Sequence, residues 1–256
     1  MEILPQLLVG VFISAAASLL GVFAILKRMS LAGDALSHVA LPGIALALFL
    51  KIDPFLGALA FLFFSAFGIW ILEYRTKLSV DTIVGVFFTA SLAAGALFIP
   101  ELEILEALFG DIGKLTSSDI LISVFLSLAL ILVLLSVHKK LALHMVSQDL
   151  ASSIGISTKR LEFIFLMLFS LGVALGIKFI GALLMGALII VPAAAAKNIS
   201  RSLNSFMIFS VAFGILSAIF GVYFASIYNL PPGPIFILTG TAIFILSFIG
   251  RGILKN

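Results

Sequence analysis

Met29-Ser30-Leu31-Ala32-Gly33-Asp34-Ala35-Leu36-Ser37-His38-Val39-Ala40-Leu41-Pro42-Gly43-Ile44-Ala45-Leu46-Ala47-Leu48-Phe49-Leu50 decides how this chain is read. At 1.5 Å per residue, residues 29–50 make a helix of about 33 Å, enough to cross a bilayer hydrocarbon core of roughly 30 Å. Only two of these side chains ionise near neutral pH, Asp34 and His38. An ionisable group at a membrane-helix centre costs about 2.5–3.5 kcal/mol on insertion scales, so it marks a pathway or a site. Positions i and i+4 share a helix face, about 6 Å apart along the axis, so both side chains can address one object. A carboxylate oxygen with an imidazole nitrogen suits a borderline divalent ion: zinc, manganese or ferrous iron. Counted from residue 29, His38 lies about 13 Å into the core, near its midplane.

Blander readings stand beside this one. Asp34 follows Gly33 near a helix start and suits a capping role. His38 can hydrogen-bond Ser37, a backbone carbonyl or a neighbouring helix. Pro42 lacks the N–H that would bond the His38 carbonyl, which frees an oxygen near the site and predicts a kink. Pro42 is therefore a candidate hinge, or an ordinary proline of a membrane helix.

The rest of the chain has the same character. Hydrophobic residues make up 62% and charged residues 11%, against about 25% charged in soluble domains. So much apolar surface needs lipid, and no polar stretch is long enough for a separate soluble domain. Apolar segments fall at about 6–26, 29–50, 55–73, 80–99, 118–137, 161–177, 179–196, 205–226 and 235–250. The expectation is an all-α bundle of about nine spans (eight to ten), forming one transmembrane domain over 1–256. Residues 161–196 are long for one helix and short for two, with Lys178 between the halves, so a tight hairpin or a broken, re-entrant pair is expected there. The start, Met1-Glu2-Ile3-Leu4-Pro5, has no basic n-region, and the first apolar segment reads as a retained helix. The absence of cysteine excludes disulfides and thiolate metal sites.

Charge asymmetry orients the bundle. With the N-terminus outside and the C-terminus cytoplasmic, the inner segments hold Lys27, Arg28, Arg75, Lys77, Lys139, Lys140, Lys159, Arg160, Lys197, Arg201, Arg251 and Lys255; only Lys51, Lys114 and Lys178 lie outside. This is the positive-inside pattern of a multi-pass cell-membrane protein. The net charge of +3 is spread over short loops and is no nucleic-acid signal. On the outer side, Glu101, Glu103, Glu106, Asp111 and Asp119 flank the apolar Phe109. That segment reads as a solvated loop, a docking surface or a field that concentrates cations. On the inner side, residues 138–160 form a long loop whose helix-forming residues, with Gly155 as a natural stop, predict a short amphipathic helix.

No catalytic constellation or nucleotide-binding signature is present. Gly110-Asp111-Ile112-Gly113-Lys114-Leu115 lacks the spacing and the Ser/Thr of a phosphate-binding loop. The chain is read as a transport subunit without its own ATPase site, not an enzyme. His138 and His144 fall in the inner loop. Asp81 reads as a cap of the fourth span, and the small residues of Val191-Pro192-Ala193-Ala194-Ala195-Ala196 read as helix packing.

These residues resemble the membrane permeases of zinc/manganese/iron ABC importers, the ABC-3 family. Gly33-Asp34-Ala35-Leu36-Ser37-His38-Val39-Ala40-Leu41-Pro42-Gly43 is similar to that family's second-helix motif. Asp81-Thr82-Ile83-Val84-Gly85 is similar to its fourth-span entry, and Phe109-Gly110-Asp111-Ile112 to its outer segment. Gln148-Asp149-Leu150-Ala151-Ser152-Ser153-Ile154-Gly155-Ile156 resembles its ATPase-contacting segment, and residues 181–194 resemble its late small-residue span. The resemblance implies a dimer with a second permease copy, a cytosolic ATPase subunit, and an extracytoplasmic metal-binding protein that delivers the ion. Asp34 and His38 would be transient ligands for the transported metal along the dimer interface, with no cofactor held permanently. Gln148, Asp149, Ala151 and Gly155 would couple to the ATPase. Glu101, Glu103, Glu106 and Phe109 would receive the delivery protein. A conducting site must also release its ion, so its affinity is modest.

Two rival readings share the composition. A permease for a metal chelate, such as a siderophore or cobalamin, needs a wider path and no metal ligands. A secondary transporter or channel needs a proton or sodium gradient and no ATPase.

Overall fold

A computed structural model describes residues 3–76, 78–98 and 116–254. Among the described residues there are eleven helices and no strand: α1 (Ile3–Leu26), α2 (Ala32–Val39), α3 (Leu41–Phe49), α4 (Pro54–Thr76), α5 (Val80–Phe98), α6 (Ser117–Val146), α7 (Gln148–Ser153), α8 (Thr158–Ile180), α9 (Met185–Ile199), α10 (Leu203–Tyr228) and α11 (Pro232–Leu254). Counting α2 and α3 as one interrupted segment, seven are long and apolar enough to cross a membrane; Val80–Gly95 and Met185–Ile199 are shorter apolar helices. These nine segments overlap the nine apolar stretches of the sequence one for one, with the boundary between the sixth and seventh displaced.

The bundle is built around α1, which packs on α6, α8, α9 and α10. Beside large buried side chains such as Leu20 and Phe23, α1 buries small residues, Ser14, Ala16, Ala17, Ser18 and Gly21, where neighbouring backbones come close. A Cβ on Gly21 would fall 2.0 Å from the Ile189 carbonyl oxygen of α9. Ser210 of α10 donates to the Ser18 carbonyl at 2.7 Å. Gly43 of α3 and Gly57 of α4 meet in the same way, each where a Cβ would strike the other's carbonyl oxygen. Large apolar side chains such as Phe64, Phe125, Leu132 and Leu246 stand exposed on the outside, as a lipid-facing surface requires.

Three local expectations are corrected. Lys178 does not separate two spans: it lies in the last turn of α8, where a cation complements the helix dipole. The break comes at Gly181, whose φ of 83° ends α8, and residues 182–184 turn into α9. The inner loop is also shorter than expected. α6 continues to Val146, so His138 and His144 are helical, and only α7 and its flanks form the connection. At α5 the capping group is the Ser79 hydroxyl, which accepts from the Thr82 N–H at 3.3 Å. Asp81 sits in the first turn, where a carboxylate favours the dipole.

Candidate metal pathway

α2 is short because both ends are constrained. It begins after the turn that closes α1, where Arg28 takes a left-handed φ of 61°. It ends at Val39, two residues before α3 takes Pro42 into its first turn, a position where a missing N–H costs nothing. Ala40 between them keeps right-handed helical dihedrals. The expected break near Pro42 is therefore one residue wide.

Leu36 and Val39 are fully buried and hold α2 against the bundle. The Ser37 hydroxyl lies 2.7 Å from two carbonyl oxygens, those of Asp34 and of Ala182 in the α8–α9 turn. Gly186 of α9 brings that helix onto α2; a Cβ there would come within 2.7 Å of the Asp34 Cβ and 2.8 Å of its nitrogen. The backbone of α2 is thus fixed while one of its faces stays open.

That face carries Asp34 and His38. Asp34 is exposed and His38 half-buried. Asp34 is the third residue of α2, and the capping position falls on Leu31, which makes no side-chain capping bond. The His38 ring tilts against Phe88 of α5, centroids 5.6 Å apart. Its Nδ1 is buried without a hydrogen-bond partner. A half-buried imidazole one helical turn from an exposed carboxylate supplies donor types that suit a divalent cation. Among the described residues no group of three or more His, Asp or Glu side chains is placed to hold a metal. Among the described residues, one chain thus brings two candidate side-chain donors to this face, Asp34 and His38.

At the far end of α6, the Ser147 hydroxyl accepts from the Leu150 N–H and caps α7. Gly155, at φ 78°, lies just beyond α7, where the left-handed conformation favours glycine. Gln148, Asp149 and Gly155 are exposed. Ala151 is not: it is fully buried against its own chain. A bulky charge at Ala151 would therefore disturb the packing beneath α7. The residues that sequence reasoning missed are Val146, Leu150 and Ile154, which are 73%, 59% and 65% exposed. Leu150 and Ile154 stand four apart around Ala151, a spacing that was visible as one apolar edge.

Glu101, Glu103, Glu106 and Phe109 lie outside the described residues. Asp119, at the end of that acidic segment, is already engaged. It forms a capping box with Thr116 at the start of α6 and accepts from Lys178 at 2.5 Å.

A model of the ABC 3 transport family matches residues 2–251. The chain belongs to this family. It is therefore a membrane transport subunit, and similarity to characterised ABC 3 proteins runs along its length. It is 31% identical over 255 residues to the high-affinity zinc uptake system membrane protein ZnuB of Haemophilus influenzae, covering 96% of this chain and 97% of that protein. It is 30% identical over 247 residues to the manganese transport system membrane protein MntC of Listeria monocytogenes, covering 95% and 88%. Its fold superposes on PsaBC from Streptococcus pneumoniae, solved in complex with Fab, with a TM-score of 0.85 and 28% identity, covering 97% of this chain and 91% of that one.

Proposed function

We propose that this chain is the permease subunit of an ATP-driven importer for a divalent transition-metal ion. Zinc, manganese and ferrous iron all suit an Asp–His donor pair, and the zinc and manganese systems among its relatives favour the first two. The observation that carries the reading is the open face of α2, where an exposed Asp34 and a half-buried His38 stand one turn apart. Facing lipid, that carboxylate would be costly. Facing the same helix of a second copy, it doubles the donor set to two carboxylates and two imidazoles around one path. The ion would pass along this dimer interface and be held weakly enough to leave, with Pro42 and the break at Ala40 as the hinge.

In this reading 1–256 form one permease domain, with the N-terminus outside and the C-terminus inside, as the basic residues favour. α7 seats a separate cytosolic ATPase: Gln148 and Asp149 open it, Gly155 ends it, and Leu150 and Ile154 supply the apolar contact. Glu101, Glu103, Glu106 and Phe109 receive an extracytoplasmic metal-binding protein. A chelate permease would leave the unpaired His38 nitrogen and the exposed Asp34 without a purpose.

The test is reconstitution in vesicles with an ATPase subunit and a delivery protein, reading accumulation of labelled zinc and manganese. ATP-dependent accumulation of a free ion supports the reading. Uptake driven by a proton or sodium gradient without ATP, or uptake of chelates alone, overturns it.

A further inference from the structure

Beneath α7 lies a buried charge cluster that the metal pathway does not use. Glu162, in the second turn of α8, is 8% exposed at its side chain. One of its oxygens, Oε2, accepts from His144 Nε2 at 3.0 Å, and Oε1 accepts from the Lys27 ammonium. His144 belongs to the last turn of α6, three residues before the Ser147 that caps α7. Lys27 follows the last residue of α1 and also lies over the Phe165 ring at 5.8 Å. A single carboxylate thus joins the ends of three helices.

Its position relates it to both working ends of the molecule. On one side Glu162 lines a cleft of about 320 Å³ together with Gln148, Thr158 and Lys159, so it borders the first residue of α7. On the other side Lys27 begins the tight turn into α2. The Lys27 N–H donates to the Phe23 carbonyl, Met29 to Ala24, and Ala32 to Met29. Only residues 28–31 separate Lys27 from the helix that presents Asp34 and His38. A turn so fully hydrogen-bonded carries a displacement of Lys27 into α2 instead of absorbing it.

Stability alone does not account for such a cluster. Taking opposite charges out of water costs about what their attraction returns, and apolar residues of similar volume serve as well. Buried ionic groups are best attested as devices that fix one relative arrangement of their elements. We propose that Glu162 is a positioning residue for transport, held between His144 and Lys27 so that movement at α7 reaches the α1–α2 turn and the metal-bearing face of α2. The proposal rests on the reading of α7 as the ATPase seat.

The test uses the whole transporter in vesicles, with ATP hydrolysis and metal accumulation measured on the same preparation. Glu162→Gln keeps the shape and the His144 hydrogen bond but removes the charge that holds Lys27. Its complex is expected to retain the ATPase and hydrolyse within about twofold of the parent, while metal moved per ATP falls about tenfold, a drop typical of a lost coupling free energy. Lys27→Met cuts the same link from the other side and should give the same split if Glu162→Gln fails to assemble. The exchange Lys27→Glu with Glu162→Lys should recover part of the ratio. An unchanged ratio of metal to ATP in both single variants, or hydrolysis and uptake falling in proportion, overturns the proposal. A parent complex that transports metal without an ATPase overturns the reading of α7 instead, before any variant is made.

Discussion

The Ser37 hydroxyl lies 2.7 Å from the Ala182 carbonyl, so the helix bearing Asp34 and His38 is pinned to the turn between α8 and α9. Both residues are fully buried. Ser37→Ala removes the donor and leaves that carbonyl facing an apolar methyl, a loss of about 1–3 kcal/mol for a buried unsatisfied group. A lower unfolding temperature of the detergent-solubilised protein is expected, together with weaker metal uptake, because α2 loses its register against α8 and α9. Ser37→Thr keeps the hydroxyl and should retain more of both. Equal behaviour of Ser37→Ala and the parent in thermal unfolding and uptake would show that the bond positions nothing.

Gly186 gives a second handle on the same helix. An alanine Cβ would sit 2.7 Å from the Asp34 Cβ and 2.8 Å from its backbone nitrogen. Neither can yield without moving α2, so Gly186→Ala carries the about 1–3 kcal/mol penalty of overpacking and displaces Asp34. Uptake should fall more than expression does. Gly85→Ala, where a Cβ meets nothing within 4 Å, serves as the control and should leave uptake near the parent value.

Much of the fold was legible in the sequence, because a hydrophobic stretch of span length admits few alternatives. The nine apolar segments, the helix around Asp34 and His38, and the left-handed Gly155 all follow from length, i+4 spacing and glycine's conformational freedom. What escaped was set by tertiary contacts. Lys178 reads as a boundary in the sequence because a cation interrupts an apolar run; in the fold it reaches Asp119 from inside the last turn of α8. Ala151 reads as an ATPase-coupling residue because it lies in the polar segment of α7, yet it is the residue of α7 that is buried against the bundle. Glu162 gave no signal at all: its partners lie 18 and 135 residues away.

The apolar edge of α7 makes its own prediction. Leu150 and Ile154 are exposed beside the polar end of the bundle, and Ala151 is not. Leu150→Glu and Ile154→Glu should release the ATPase on purification while leaving the unfolding temperature of the permease within a degree or two of the parent. Ala151→Glu buries a charge without a partner and should instead lower that temperature and the expression level. ATPase retention in both exposed-site variants would remove α7 from the contact.

A second copy on the open face of α2 can be detected directly, because the chain has no cysteine and an introduced thiol is unique. Leu31 is 76% exposed and stands three residues before Asp34. Leu31→Cys should form a disulfide-linked dimer under mild oxidation in native membranes, whereas Phe125→Cys, on the exposed surface of α6 away from α2, should not. Cross-linking at Phe125 with none at Leu31 would place the dimer interface elsewhere.

If Asp34 and His38 handle the transported ion, uptake depends on both side chains. The most direct test is the initial rate of labelled zinc and manganese uptake by Asp34→Ala and His38→Ala in vesicles holding the complete transporter, with dimer assembly and ATPase retention verified for each variant. Either substitution is expected to reduce uptake at least about tenfold while the complex stays intact, since losing even an outer-shell partner of a metal site costs on that scale. Uptake at the parental rate in both assembled variants would contradict this role for the pair.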